Sequence, residues 1–522
     1  MSGPIRNKTT LVADFLHHVI PLTNVERFIV STPVFNRLHW VKQNSTAYLT
    51  YPSLTHSRFG HSLGAAHIGT QMYCAAIANA APQVRLDFIR SLSNIVRRVN
   101  LLRRGVPDGH ERLAGLQEQR MPELLRAFVL STPLLTKAVP LELSNDEQVA
   151  FCVGLQALRI AALVHDLGHP PFSHVTEYAV KSLYQDDLVI NGKSGHAVAL
   201  RKLNAEGTAQ DKQPHETLTL NLFEAIRRQA QSTAASAPFP RVEEYVGACV
   251  CLTIAGAILA GGQFITTEID QQIEPSERLA LRGIQSIEDG AIDADRLDYV
   301  QRDVLLSGIR GDGFRSDRLV SLMKLVYDEP TKLESDKYLA KFGKPVPSGK
   351  TVPRFLPSTR SIRSLGEFFE WKSELYRTVI YHHHVVRTDG LFKELIRQIS
   401  HEVIESAEKN TDGVVDLEDK VLTSRPEDIH WLWSVYHDSH DGTSAQMNLY
   451  LQLDDSWLMS IIRQKYFALK SRIESTQMLE AGVSAEVTSA PLSTKEIVTF
   501  KRLEEIVASE KNYIALVKRH ED

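Results

Sequence analysis

Cysteine is scarce: the four in 522 residues, Cys74, Cys152, Cys249 and Cys251, show no CxxC spacing. That argues against a thiolate zinc site and points to reduced thiols in a cytoplasmic protein. Long apolar runs are missing too. The longest uncharged one, Val246 to Gly262, has 17 residues and four glycines. It falls short of the ~20 needed to cross a bilayer, so it reads as a buried helix, and no membrane partner is expected. The opening MSGPIRNKTT lacks the apolar core of a signal peptide. Excess charge of one sign is absent: a net charge of -4 gives no global basic field, which disfavours nucleic acid as a partner. No GxxxxGK(S/T) or GxGxxG turn occurs, so phosphates are not gripped by a glycine-rich loop. No repeat recurs at a fixed period. At 43% hydrophobic and 23% charged residues, the chain is neither disordered nor fibrous, and it is long enough for a large core.

What stands out instead is LRIAALVHDLGHPPFSHVTE, Leu158 to Glu177. The almost wholly apolar segment Phe151 to Val164 delivers His165 and Asp166 side by side, and Pro170-Pro171 stops any helix that carries them. His169, His174 and Glu177 follow closely. Burying an ionised carboxylate beside imidazoles costs several kcal/mol unless a cation or a proton compensates, so a bound metal is the economical reading.

Elsewhere, residues 1–23 read as a polar lead-in. Thr32-Pro33 is a helix-start signal. Tyr48 to Pro52 reads as short and extended. His61 lies near the start of an alanine-rich helix ending near Ala81, while Arg58 offers a planar fork suited to phosphate. From Arg85 to Arg104 there are six arginines and one acid, readable as a solvated helix face, an oligomer contact or a local anion patch. Gln185 to Pro214 reads as an insertion or mobile loop, and His215-Glu216 open an amphipathic helix to about Gln229. Ser232 to Pro240 is a linker by composition. Asp295, Tyr299 and Arg302 or Asp303 share one helix face, with Arg296 beside it. Residues 325–357 are the one place with short strands. A long helix is expected from about Ser361 to Arg387, carrying Lys372, Arg377 and His382-His383-His384. Beyond it the chain is mostly helical, with polar breaks near 410–413 and 484–494.

Imidazoles combined with aspartates suit a borderline first-row metal, Zn, Mn, Fe or Ni, which could polarise a phosphoryl oxygen and activate water. Hydrolysis also needs a proton donor for the leaving oxygen. His174 and Glu177, three residues apart, can form a carboxylate-oriented imidazole for that task. Arg58, Arg296, Tyr299, Lys372 and Arg377 could neutralise a polyphosphate. The chemistry reaches a phosphohydrolase with a multiply charged substrate.

The order His61, His165-Asp166, Asp295 resembles the H…HD…D signature of HD-domain metal phosphohydrolases. Within them it is most similar to the SAM-and-HD-domain deoxynucleoside triphosphate triphosphohydrolases and the bacterial dGTPases. The phrases that carry the resemblance are TPVFNRLHWVKQ (Thr32 to Gln43), HSRFGHSLG (His56 to Gly64), HDLGHPPFSH (His165 to His174), His215-Glu216 and IDADRLDYVQRD (Ile292 to Asp303). The resemblance implies an all-α fold: an HD-domain helical core over residues 24–400, with a small β-hairpin region and insertions at about 84–131 and 185–214. A mostly helical C-terminal extension would follow over 401–522. It implies metal ligation by His61, His165, Asp166 and Asp295, with Mg accompanying the nucleotide. His174, Glu177 and His215 would serve acid-base catalysis. Gln43, Arg58, His169, Arg296, Tyr299, Asp303 and Lys372 would contact substrate. The implied reaction releases deoxynucleoside and tripolyphosphate, in a homo-oligomer. Departures are Asn44-Ser45-Thr46 where the eukaryotic members have a leucine and glycines, and Lys372 where arginine is usual. Ser31, Asn36 and His39 stand at positions of the family's activator site. An HD phosphohydrolase acting on another nucleotide, a signalling nucleotide or single-stranded nucleic acid is the alternative.

Overall fold

The computed structural model describes residues 9–101, 120–210, 213–231, 239, 241–311, 314, 316–409, 429–437, 450–480 and 492–509. The linker expected over 232–240, apart from residue 239, lies outside these, as do the polar break at 410–413 and most of that at 484–494. Among the described residues the chain is all-α, apart from two small antiparallel strand pairs. It forms two compact units, each discontinuous in sequence: residues 1–39, 56–168 and 215–378, and residues 40–55, 169–214 and 379–522. The divisions read from the sequence at 23 and 400 are not boundaries of these units.

The first unit is built on helix Asn145–Val164. Ser144 and Glu147 close a capping box at its start, worth about 1 kcal/mol in satisfied N–H groups. From Ala150 to Val164 every side chain is buried. The helix packs on Arg58–Ala78, Pro82–Leu101 and Val242–Leu259. Both Asn145–Val164 and Val242–Leu259 are long and apolar enough to cross a membrane, yet most of each is buried inside the structure. All-round apolarity here makes the middle of a helix core. In helix Pro82–Leu101, Arg85 pairs with Glu142, Arg90 lies near Asp87 and Glu147, and Arg98 Nε is 3.1 Å from Glu277. Carboxylates of the same chain thus answer three of the expected arginines; Arg103 and Arg104 are outside the described residues.

Three expectations need correction in and around this unit. The supposed lead-in carries a hairpin, Thr10–Asp14 paired with His18–Leu22. Its loop has no Asn-Gly or Gly signal, because His18 itself takes the left-handed conformation, φ 60°. The expected strands near 325–357 do form, as Met323–Asp328 and Val352–Pro357, but helix Lys332–Phe342 lies between them. The single long helix after Ser361 is broken: Ile362–Leu375 passes into a π-helical turn, Tyr376–Ile380, and His383–Lys409 begins anew. β-branched Thr378, Val379 and Ile380 crowd that turn.

In the second unit, helix His174–Leu183 packs on His383–Lys409, and Asp455–Glu480 on Thr494–Val507, around Phe172, Phe392, Trp433 and Leu458. Gln185 to Pro214 is not a mobile loop. It contains helices Asp187–Ile190 and Gly195–Gln210, because Val189, Ala197, Leu200 and Leu203 supply a buried apolar face. Nor is Tyr48 to Pro52 extended; a 3-10 turn covers Ala47–Leu49.

A pH effect follows from His430, whose ring centroid is 5.0 Å from that of His196. Burial, and secondarily His196, lower its pKa from 6.5 to about 4. The unfolded chain therefore binds more protons between those values. Stability is complete above about pH 6.5 and is lost as pH falls toward 4, by roughly 3 kcal/mol for this group. Denaturant titrations at pH 7 and pH 5 should show the loss. His430→Phe should flatten part of it, the remainder including His67, which burial and His17 also lower to about 4.

Candidate metal centre and acid-base pair

Two helices of the first unit and the end of a third bring its polar centre together. His61 lies in the first turn of Arg58–Ala78, His165 caps the C-terminus of Asn145–Val164, and Asp295 sits in the first turn of Ala294–Ser307. His61 Nε2 is 2.9 Å from Asp295 Oδ1, and His165 Nε2 is 3.6 Å from the same oxygen. One ligand atom from each of the three lies within 4.8 Å of the others.

The partners of the far ring nitrogens decide what these imidazoles can do. His61 Nδ1 is 2.9 Å from Asp298 Oδ2, and His165 Nδ1 is 2.8 Å from the Ala162 carbonyl oxygen. Both acceptors require a protonated Nδ1, which leaves the lone pair on Nε2. Both Nε2 atoms are buried and make no aligned hydrogen bond. Two orphaned imidazole nitrogens converging with a carboxylate fit a borderline first-row cation. Without a cation, protons fill the role. Burial disfavours a charged His61, but Asp295 and Asp298 outweigh it and raise its pKa to about 9. Burial opposes charge on His165 too, and Asp166 and Asp295 reverse the balance.

Asp166 is buried beside this trio. Its Oδ2 is 2.5 Å from Arg58 Nη1, and its Oδ1 is 3.4 Å from His165 Nε2. Burial would raise its pKa, yet Arg58, His165 and His61 hold it below the usual carboxylate range. Arg58 therefore reaches Asp166 in this structure. Thr219 joins the next segment: Gly168 N donates to its Oγ1 at 2.9 Å, and its hydroxyl donates to the His165 carbonyl at 3.0 Å. A side chain at Gly168 would strike the His215 carbonyl. The half-buried His215, second residue of helix Pro214–Ala230, is thereby set against the chain just past the HD pair.

The remaining expected contacts of this unit lie along Ala294–Ser307. Arg296 bonds Asp293, the N-cap, and the Gly290 carbonyl. Tyr299 Oη is 3.4 Å from Tyr376 Oη. Burial and then Arg296 lower the pKa of Lys372, whose Nζ lies 5.8 Å from the Tyr376 ring centroid. Asp303 Oδ1 is 2.8 Å from His56 Nε2 without hydrogen-bond alignment. Near His165, burial pushes the Glu288 carboxyl up to about 8.

The second unit holds the other expected residues. His174 Nδ1 is 3.1 Å from Glu177 Oε2; the histidine side chain is 58% exposed and the acid 3%. A buried carboxylate holding an exposed imidazole fixes its tautomer and keeps it accessible. Phe172 and Ser173, with φ of 53° and 50°, form the tight turn that delivers His174. Such backbone costs of order 1–3 kcal/mol per residue. Asp455 Oδ1 accepts from Phe172 N at 2.7 Å, and Ser45 Oγ donates to the Phe172 carbonyl at 2.7 Å, which holds the turn in place. His169 packs its ring edgewise on His174, centroids 5.2 Å apart. Gln43 Oε1 is buried without a hydrogen-bond partner.

Sequence reasoning missed Asp298, His56, Glu288, His17 and Asp14. Asp298 carried a usable signal, since it lies three residues after Asp295 on a helix. The others depend on contacts too distant in sequence for any local pattern.

No family model matches the chain. The deoxynucleoside triphosphate triphosphohydrolase SAMHD1 of Mus musculus is 21% identical over 359 residues, 68% of this chain and 38% of that protein. An HD domain-containing protein of Acanthamoeba polyphaga mimivirus is 28% identical over 160 residues, 31% of this chain and 23% of its own. A phosphohydrolase structure from Bacteroides thetaiotaomicron aligns with a TM-score of 0.49 and 16% identity, covering 94% of this chain and 82% of that one. The chain spans less than half the length of the curated relatives it matches.

Proposed function

We propose, from the chain's similarity to HD-domain phosphohydrolases, that it is a metal-dependent hydrolase of deoxynucleoside triphosphates, releasing deoxynucleoside and tripolyphosphate. The observation that carries the reading is the pair of buried, unbonded Nε2 atoms of His61 and His165 converging with Asp295. In this reading His61, His165, Asp166 and Asp295 hold a divalent first-row metal, which supplies Lewis-acid polarisation of a phosphoryl oxygen and an activated water. The side chains do the rest. Glu177 retains the Nδ1 proton of His174, so that Nε2 exchanges the proton the leaving oxygen needs. His215 is a second proton carrier. Arg58, Arg296, Lys372 and Tyr299 meet the phosphates, supported by Lys372 being a cation depressed by burial and by Arg296, which an arriving polyanion would relieve. Gln43, Asp303 and His169 contact the nucleoside. The working form is a homo-oligomer.

Product chromatography tests the reading, with each dNTP and rNTP supplied singly and mixed, Mn or Mg present, and Asp166→Ala as control. Deoxynucleoside plus tripolyphosphate is expected from the wild type alone. A folded, metal-loaded protein that leaves all four dNTPs intact in every mixture would remove the dNTP assignment.

A further inference from the structure

We infer that the N-terminal hairpin belongs to the metal centre, with His17 and Asp14 acting as positioning residues that hold Asp298 and, through it, the His61 ring. The inference rests on the metal reading above, but His17 and Asp14 lie outside every motif singled out in the sequence.

The side chain of Asp298 is fully buried on helix Ala294–Ser307. It accepts the His61 Nδ1 proton, which is what leaves Nε2 with its lone pair. A carboxylate that does this must itself be prevented from turning. Four contacts prevent it. Besides His61, Asp298 Oδ2 accepts from Arg302 Nε at 2.8 Å, while Oδ1 accepts from Arg302 Nη2 at 2.9 Å and from His17 Nε2 at 2.8 Å. His17 comes from the hairpin loop, 281 residues away in sequence.

Arg302 is held in turn by the hairpin. Its Nη1 is 2.9 Å from Asp14 Oδ2 and its Nη2 is 3.3 Å from Asp14 Oδ1. Asp14 Oδ1 also accepts from the backbone N–H of Leu16 at 2.9 Å and of His17 at 2.8 Å. One aspartate thus shapes the loop that presents His17 and fixes the arginine that grips Asp298. The helix bearing His61 leaves room for this: a side chain at Gly64 would collide with the Asp298 carboxyl. A hairpin that merely covered the core would not need one polar side chain on the buried Asp298 carboxylate and a second on the arginine that grips it. Such outer partners of a metal-bound histidine typically contribute 10–100-fold in affinity.

The test measures Mn affinity by competition with a chelator on the full chain, with thermal unfolding as a check of folding. Asp298→Asn should weaken binding on the order of 10–100-fold, and His17→Ala and Asp14→Asn about 10-fold. His17→Gln, whose amide N–H can replace the Nε2 donor, should restore most of it. Leu11→Thr and Val19→Thr, on the exposed face of the same hairpin, should bind like wild type. Wild-type affinity in folded His17→Ala and Asp14→Asn would overturn the inference, as would equal losses in the surface controls. If His17→Ala does not fold, the comparison of His17→Gln and Asp14→Asn with the surface controls still decides. Failure of the wild type itself to bind Mn, Zn, Fe or Ni would instead overturn the metal reading.

Discussion

Asp295→Ala should strip the metal from the purified protein and lower turnover on the order of 10³-fold. The estimate follows from a metal's contribution of several kcal/mol to the transition state, at about 1.4 kcal/mol per decade of rate. Asp295 carries this weight because its oxygen faces both orphaned imidazole nitrogens, 2.9 Å from His61 and 3.6 Å from His165. Its removal leaves the two imidazoles with Asp166 as the remaining carboxylate beside them, and that carboxylate is already paired with Arg58. The side chain is 30% exposed, so the fold should survive, and circular dichroism should match the wild type. Elemental analysis and product chromatography on one preparation check both halves. Full turnover in a metal-free Asp295→Ala protein would place the chemistry elsewhere.

Arg159→Met should destabilise the first unit by about 3–5 kcal/mol, the range seen when one partner of a buried ion pair is lost. Arg159 and Glu26 are each 1% exposed and meet through two bonds, Nε to Oε1 at 2.6 Å and Nη2 to Oε2 at 2.7 Å. Gln156 adds a third bond to Glu26, and Arg159 also donates to the Pro21 carbonyl. The methionine refills the volume but leaves the Glu26 carboxylate buried without its cation. Most of the loss comes from that stranded charge, so Arg159→Met with Glu26→Gln should recover a large part of it. Denaturant midpoints of the two single variants and the double variant measure the coupling. Additive losses would show that the pair is not the source of the effect.

The helical architecture was legible where a local rule operated. The run Phe151 to Val164 is apolar apart from Gln156 and Arg159, and the structure buries it, with both polar side chains bonded to Glu26. Thr32-Pro33 opens a helix as its cap chemistry requires. His215-Glu216 open one that ends at Ala230, a residue from the expected stop. The misreadings occurred where the chain breaks local rules. His18 takes a glycine-like conformation, which hid the hairpin, and the turn at Tyr376–Ile380 has no proline or glycine to announce it. Gln185 to Pro214 is polar enough to look like a loop, and only partners supplied by distant helices make its few apolar residues a packing face.

The chemistry of the candidate centre is determined by the sequence itself: imidazole and carboxylate residues at the ends of apolar helices have few economical fates other than binding a cation or a proton. Which nitrogen is left to bind is decided by tertiary structure for His61, and for His165 by the end of its own helix. That choice rests on what faces Nδ1, the Asp298 carboxylate for His61 and the Ala162 carbonyl for His165. The first of these partners is more than two hundred residues away, and it is held by a hairpin that no local pattern announces. Sequence specifies donors, but the direction of the His61 lone pair depends on a hydrogen bond that forms only when remote segments pack.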